Sequence, residues 1–182
     1  MAKFKTPLSN LLITLGVLII VSVTFLTLSD KILPKTLAQI VLLDNQENSP
    51  ASPKFLKLHN LTDQIPVLKA DYDGKTWQLS EKMAVYVNGS ALPGESGNTI
   101  IYGHNTDKVL GKLNKMEEGD KISLTMENNR IVSYKVDKKF IVSSTDTSIL
   151  SQTLTPTLTI FTCDGFLDTH RLVIRASIDK SS

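Results

Sequence analysis

The chain has 182 residues, of which 21% are charged, and its formal net charge at pH 7 is +2. This length suits one modest globular domain with an additional segment attached to it. The lysines are scattered along the chain and form no basic stripe, so we expect no nucleic-acid partner.

The N-terminal stretch Leu8–Leu28 contains no charged residue. A helix of this length would cross the ~30 Å hydrocarbon core of a bilayer. We therefore predict a transmembrane signal-anchor helix over residues 8–28, after a short cytoplasmic tail over residues 1–7. The alternative is a cleaved signal peptide, whose apolar region usually has only about 7–15 residues. Lysines lie on both sides of the span, and their distribution leans toward a cytoplasmic N-terminus.

A juxtamembrane linker is predicted to follow the anchor over residues 29–53. Its last ten residues, "DNQENSPASP", are polar, contain two prolines and have no apolar periodicity. The folded domain is then predicted over residues 54–182. With this order of segments, we expect a single-pass protein of the cell membrane whose folded domain lies outside the cytoplasm.

The folded domain is predicted to consist mainly of short strands. Alternating or β-branched runs indicate strands over residues 54–59, 66–72, 83–89, 97–104, 121–126, 130–136, 138–142, 157–163 and 171–178. Only Asp107–Met116 has helical spacing of its apolar residues. Short strands at this spacing, with one short helix, favour a mainly β fold that is either a closed barrel or a sandwich.

The only cysteine, Cys163, ends the predicted strand "TLTIFTC". Strand alternation separates two faces, with Leu158, Ile160 and Thr162 on one and Thr159, Phe161 and Cys163 on the other. Because the aliphatic pair is expected to face the core, the cysteine is predicted to lie on the opposite face. A lone cysteine is nevertheless most often a buried structural residue.

Two other residues give this cysteine a chemical context. A thiol nucleophile needs a basic or cationic partner, because the thiolate is the reactive form and a free thiol has a pKa of about 8.5. His104 is predicted at the end of the strand "NTIIYGH", and Arg171 opens the strand after the cysteine loop. An arginine there could stabilise a developing oxyanion. Arg175, four residues later on the same face, is interpreted as a surface or packing residue.

Three motifs in this chain resemble the signatures of the sortase family. "TLTIFTC" resembles TLxTC, with Ile160 in place of leucine before Thr162 and Cys163. "PGESGNTIIYGH" is similar to PGExGNxxxAGH, whose last residue is the catalytic histidine, here His104; Tyr102 replaces a small residue. "DTHRLVIRA" is similar to NTHRLLVRG, which carries the sortase arginine, here Arg171. The resemblance covers roughly residues 54–178.

The resemblance implies a closed eight-stranded β-barrel with one or two short helices, and a membrane-anchored cysteine transpeptidase without a cofactor. Its substrate would be an LPxTG-like sorting motif near the C-terminus of a surface protein. Cys163 would form a thioester, His104 would act as acid and then base, and Arg171 would hold the oxyanion. The acceptor would be an amine of a peptidoglycan precursor or of a protein lysine. Two alternatives stay open: a thiol peptidase that uses water, and a catalytically silent barrel that binds extended peptides.

Several further residues are assigned by the same resemblance. The side chains predicted to contact the substrate are those of Thr162, Ile160, Asn105, Asp164 and His170. The polar stretch Ser143–Pro156 would form one wall of the peptide groove, and the alternative is a polar connector. The acidic residues at 117, 118 and 120 are interpreted as a solvated turn, so no metal site is predicted. "LPKTL" at residues 33–37 resembles a sorting motif without its glycine and is interpreted as a chance match.

Overall fold

The computed structural model describes residues 13–22, 51–72, 74 and 76–180. The chain divides into two units, Met1–Ser49 and Pro50–Ser182. In the first unit, residues 13–22 are helical. No helix among the described residues combines the length and the apolar character needed to cross a bilayer. The predicted anchor extends past these helical residues on both sides, and the predicted tail over residues 1–7 and most of the linker lie outside the described residues.

The second unit is a closed barrel of eight strands, which confirms the barrel rather than the sandwich. The strands are β1 (Pro53–Leu58), β2 (Ile65–Ala70), β3 (Ala84–Val87), β4 (Asn98–Gly103), β5 (Lys121–Met126), β6 (Ile131–Ser143), β7 (Thr157–Asp164) and β8 (His170–Ile178). Their order around the barrel is β1-β2-β3-β4-β7-β8-β6-β5. The pairs β2–β3 and β4–β7 are parallel, and the other neighbouring pairs are antiparallel.

Two predicted elements differ from the observed ones. The stretches 130–136 and 138–142, predicted as two strands, form the single strand β6, in which a register shift between Val136 and Lys138 marks a bulge. The predicted helix Asp107–Met116 is helical only over Gly111–Lys115, as a 3₁₀ turn. Its apolar face is buried as expected, since the periodicity reports burial rather than helix type. Further 3₁₀ turns occupy Ser148–Leu150 and Phe166–Asp168.

The barrel buries apolar side chains on both faces of β7. Leu158 and Ile160 belong to the interior cluster and are fully buried. Phe161 belongs to a second cluster on the outer face, together with Tyr102 and Val173 of the flanking strands. Fully burying one such side chain stabilises the fold by roughly 1.5–3 kcal/mol. The predicted alternation is thus confirmed, and Cys163 lies on the outer face with Phe161.

Candidate active site

The parallel pair β4–β7 brings His104 next to Cys163. Gly103, the last residue of β4, is the register partner of Thr162 on β7. His104 and Cys163 each follow one of these partners, so they occupy equivalent positions on adjacent strands. Neighbouring strands lie roughly 5 Å apart. The two residues that the sequence motifs single out therefore meet at one edge of the barrel.

The antiparallel pair β7–β8 places Arg171 at the same edge. Arg171 is the direct register partner of Cys163. Its Nη1 donates hydrogen bonds to the backbone oxygens of Asp168, at 2.7 Å, and His170, at 2.8 Å. These two bonds tie Nη1 to the loop and to the first residue of β8. A guanidinium has five N–H donors, so the group could also donate to a bound carbonyl or oxyanion.

A small cavity of about 70 Å³ opens beside the thiol. It is lined mostly by apolar atoms, and its lining residues are Trp77, Leu79, Tyr102, Gly103, Phe161, Thr162, Cys163 and Arg171. A lining of this kind excludes water and strengthens the electrostatic interactions of the few polar groups inside it. The cavity therefore suits a reaction in which charge develops on an oxygen close to the sulfur.

Trp77, which lines this cavity, contacts three other aromatic rings. Its ring stacks on Tyr72 with the centroids 3.9 Å apart, and it meets Tyr102 edge-on at 4.6 Å and Phe161 at 5.4 Å. The Tyr102 hydroxyl donates a 2.7 Å hydrogen bond to the backbone oxygen of Gln78. Burial raises the pKa of Tyr102 to about 12 against the opposing effect of this bond, so the phenol stays neutral and keeps the segment around Trp77 in place.

Three influences act on the thiol of Cys163, which is half-buried. Burial raises its pKa most, the positive charge of Arg171 lowers it, and the carboxylate of Asp168 raises it. The net effect is a raised pKa, so the thiol is mostly neutral near pH 7. A buried, neutral thiol resists oxidation better than an exposed thiolate does.

His104 is partly open to solvent, with 32% of its side chain exposed, and its Nε2 lies 3.8 Å from a carboxylate oxygen of Glu81. Within the described part of the chain, no hydrogen bond is recorded between this imidazole and the thiol of Cys163. Such hydrogen bonds are often loose in unliganded enzymes and tighten when the substrate binds. His104 is therefore placed to exchange protons at the mouth of the cavity.

Four of the residues predicted to contact substrate surround this edge. Asn105 donates from Nδ2 to the backbone oxygen of Cys163 at 3.0 Å. Thr162 lines the cavity, and its hydroxyl donates to the Gly103 oxygen at 2.8 Å, which ties β7 to β4. Asp164 pairs with His170 across β7 and β8. The exposed His170 has its Nδ1 3.0 Å from the Thr169 hydroxyl.

Ile160 does not have the predicted contact with substrate. Its side chain is 0% exposed and packs in the interior cluster of the barrel. The physical reason is strand alternation, because Ile160 is three residues before Cys163 and so points to the opposite face. We correct its role to core packing.

The wall predicted over Ser143–Pro156 stands beside the thiol cavity. A second cavity, of about 60 Å³, lies between Trp77 and the wall residues Ser144, Asp146, Thr147, Ile149 and Leu150, and Arg171 also lines it. A third, of about 290 Å³, extends past Leu150 and Gln152 to β3. Trp77 lines all three cavities. Together the three cavities follow the outer face of β4 and β7.

Sequence reasoning missed the aromatic residues that shape the site. Trp77, Tyr102 and Phe161 were not among the predicted site residues. One signal was present, because Tyr102 stands where the resembling motif has a small residue. Trp77 lies in a stretch without strand or helix periodicity, so its position over β4 and β7 follows only from the tertiary fold.

No group of three or more His, Cys, Asp or Glu side chains within residues 13–22, 51–72, 74 and 76–180 is arranged to hold a metal ion. In the acidic turn after Met116, a carboxylate oxygen of Asp120 accepts a 2.8 Å hydrogen bond from the backbone N–H of Glu117. This bond closes the turn locally, as in an Asx-type capping interaction.

Known proteins resemble this chain at the level of the whole barrel. Among the similar solved structures are a sortase D5 transpeptidase from Clostridium perfringens (24% identity, TM-score 0.60, covering 70% of this chain and 79% of that chain) and sortase A from Listeria monocytogenes (21% identity, TM-score 0.59, 72% and 89%). Another is sortase A from Corynebacterium diphtheriae (25% identity, TM-score 0.60, 73% and 63%). A search of curated proteins found no match.

A family model for the sortase domain matches residues 56–179, which is more than half of the chain. This match contains β2 to β8 and all three residues that meet at the barrel edge, His104, Cys163 and Arg171. The chain therefore belongs to the sortase family.

Proposed function

We propose that this chain is a membrane-anchored cysteine transpeptidase that cleaves an LPxTG-like sorting motif and transfers the acyl fragment to an amine. The observation that carries this proposal is the register pairing of Cys163 with Arg171, beside His104 at the end of β4. A nucleophile, an acid–base group and a cationic donor at one cavity are the set that acyl transfer requires.

The first half of the reaction forms a thioester. The thiolate sulfur of Cys163 attacks the carbonyl carbon of the threonine in the motif, and Arg171 stabilises the negative oxygen. The bond from that carbon to the next amide nitrogen breaks, and the imidazolium of His104 gives its proton to the leaving amine. The N-terminal part of the substrate then remains attached to Cys163.

The second half releases the product. Neutral His104 takes a proton from the incoming amine as its nitrogen attacks the thioester carbon. The carbon–sulfur bond breaks, and the thiolate is regenerated. The acceptor that we propose is an amine of a peptidoglycan precursor or a protein lysine, since the mostly apolar cavity disfavours water as the competing nucleophile.

The raised pKa of Cys163 has a consequence for the resting enzyme. Burial keeps most of the thiol protonated near neutral pH, so only a minority of molecules holds thiolate and imidazolium together. Arg171 opposes this effect through its positive charge. The guanidinium of Arg171 would therefore act twice, because it would bind the substrate carbonyl and also favour the thiolate form of Cys163.

The membrane position belongs to the proposal as well. An anchor over residues 8–28 would hold the barrel at the outer surface of the cell membrane, where surface proteins and their acceptors meet. Protease treatment of intact cells tests this placement. The barrel is expected to be digested without cell lysis, and complete protection would contradict an extracytoplasmic domain.

The activity is tested with the full-length chain in detergent and a fluorogenic LPxTG-like peptide, with and without a primary amine. We expect an amine-linked product by mass spectrometry, and no cleavage by Cys163→Ala. Hydrolysis alone, at a rate that the amine does not change, would instead identify a thiol peptidase. Saturable binding without turnover would identify a silent peptide-binding barrel.

A further inference from the structure

A buried amide lies behind the wall of the proposed peptide groove. Asn98 is the first residue of β4, and its exposed fraction is 0%. Its side chain is far along β4 from His104, which follows the other end of that strand. Asn98 is therefore not part of the catalytic edge described above.

Every polar group of the Asn98 side chain is used. Its Nδ2 donates to the backbone oxygens of Ile149 and Ser151, both at 3.0 Å. Its Oδ1 accepts a 2.7 Å hydrogen bond from the Thr159 hydroxyl on β7. One planar amide thus joins the two strands that form the groove floor to the segment that forms the groove wall.

Two neighbouring hydrogen bonds also join the barrel to the wall segment. The backbone N–H of Asn98 donates to Oε1 of Gln152 at 3.1 Å, and the Arg175 guanidinium approaches the Ile149 oxygen at 3.4 Å. Gly97 permits close packing here: a Cβ there would lie 2.7 Å from the Ala91 Cβ and 2.9 Å from Oε1 of Gln152, and its φ of +122° is unfavourable for other residues.

The segment bound by the Asn98 side chain, around Ile149 and Ser151, also lines the proposed groove. Ile149 is 4% exposed and packs in the outer cluster, and Leu150 lines the second and third cavities. The hydrogen bonds within the wall are local: Leu150 N–H donates to Thr147 and Ser151 N–H donates to Ser148. Such turns do not by themselves fix a segment relative to a barrel.

We propose that Asn98 is a positioning residue that sets the affinity for the peptide by fixing the wall over residues 149–152, without acting on the chemistry at Cys163. This inference rests on the proposed function, because it assigns the wall to the sorting peptide. A fully satisfied buried amide is suited to this task, since any displaced wall would leave its donors unpaired in an apolar interior.

The test compares Asn98→Asp with Thr159→Val in the full-length chain. Asn98→Asp keeps the size of the side chain and the acceptor for Thr159, but it removes both bonds to the wall. Thr159→Val removes the bond to β7 and leaves both wall bonds in place. For Asn98→Asp we expect KM for the LPxTG-like peptide to rise at least ~10-fold with kcat little changed, the pattern of lost ground-state binding.

Two further measurements separate positioning from general damage. The rate of iodoacetamide alkylation of Cys163 is expected to stay within about 2-fold of the wild type in both variants, because a group that acts only through the wall leaves the thiolate population alone. Amide hydrogen exchange at Leu150 and Ser151 is expected to accelerate in Asn98→Asp and not in Thr159→Val. If Asn98→Asp does not fold, Asn98→Ser removes the same donors without burying a carboxylate.

The outcomes are distinguishable. An unchanged KM together with unchanged exchange at residues 150 and 151 would overturn the role of Asn98, and so would equal effects of the two variants. If the wild type cleaves no sorting peptide, the proposed function fails; the exchange comparison then still decides whether Asn98 fixes the wall.

Discussion

Cys163 and Arg171 face each other as direct register partners on the antiparallel strands β7 and β8. This pairing sets the two residues side by side through the backbone of the barrel, and the bonds from Nη1 to the Asp168 and His170 oxygens hold the guanidinium. Arg175, the other arginine on that face of β8, is paired with Thr159 and points its Nη2 toward the Ile149 oxygen at 3.4 Å. The two arginines therefore have different neighbours.

The first prediction concerns the division of work between these arginines. Arg171→Ala is expected to reduce kcat/KM for a sorting peptide by at least ~10²-fold, as does the loss of an oxyanion donor in other enzymes. His104→Ala is expected to have an effect of similar size, through loss of acid–base catalysis. Steady-state kinetics measures both.

Arg175→Ala is the matched control, since it removes an equal charge from the same strand. We expect it to leave kcat within a few-fold of the wild type. Near-normal kinetics in Arg171→Ala, combined with a large loss of activity in Arg175→Ala, would show that Arg175 and not Arg171 is the catalytic arginine.

The second prediction concerns the charge around the thiol. Asp168 raises the pKa of Cys163, so Asp168→Asn is expected to lower that pKa and move the pH profile of alkylation to lower pH. Arg171→Ala removes the opposing positive charge and is expected to move the profile to higher pH. The wild-type midpoint should lie above the ~8.5 of a free cysteine.

The Asp168→Asn substitution is well matched to the backbone at this position. Asp168 has a φ of +57°, a conformation that asparagine also tolerates, and its backbone oxygen still accepts the hydrogen bond from Arg171. Iodoacetamide rates measured across pH give the comparison. Identical profiles for the wild type and both variants would show that these charges do not act on the sulfur.

The third prediction uses Trp77, the only tryptophan in the chain. Because its ring lines all three cavities along β4 and β7, a peptide that occupies them must change its surroundings. We expect a saturable change in tryptophan emission when Cys163→Ala, which binds without turnover, is titrated with an LPxTG-like peptide. Trp77→Phe provides the blank. Cleavage of the peptide by the wild type, with no change in emission when Cys163→Ala is titrated, would place the peptide elsewhere.

The fourth prediction concerns Thr162 of β7, whose hydroxyl donates a hydrogen bond to β4. It is 1% exposed, and its hydroxyl satisfies the Gly103 oxygen. Thr162→Val keeps the shape and leaves that buried oxygen unpaired, so we expect a loss of about 1–3 kcal/mol in the free energy of unfolding. Thr162→Ser keeps the hydroxyl and should retain most of that bond energy. Denaturant unfolding compares them, and equal stability of the valine variant and the wild type would refute the assigned role.

Local rules in the sequence predicted where several of these residues lie in the fold. Alternation along "TLTIFTC" was enough to place Cys163 on the outer face, with Leu158 and Ile160 inside. The predicted strand ends of His104 and Arg171 became neighbours of Cys163 because β4 and β8 both flank β7. The same alternation argued against Ile160 as a substrate contact, and the structure places that residue in the core.

Other features of the fold and the site depend on contacts between residues far apart in the chain, which a local sequence pattern does not predict. Residues 130–136 and 138–142 are predicted as two strands, but they form one strand, β6, with a bulge between Val136 and Lys138. Trp77 reaches the thiol cavity from the connection between β2 and β3, and Asn98 acts on residues more than fifty positions later in the chain. No periodicity of a single element predicts such contacts.

The most direct test of the central claim is the intact mass of the full-length chain during reaction with an LPxTG-like peptide. The account predicts a transient adduct with the mass of the peptide fragment up to its threonine, mapped to Cys163 and released by hydroxylamine or a primary amine. Peptide cleavage without an adduct on Cys163, or an adduct that persists in Cys163→Ala, would contradict it.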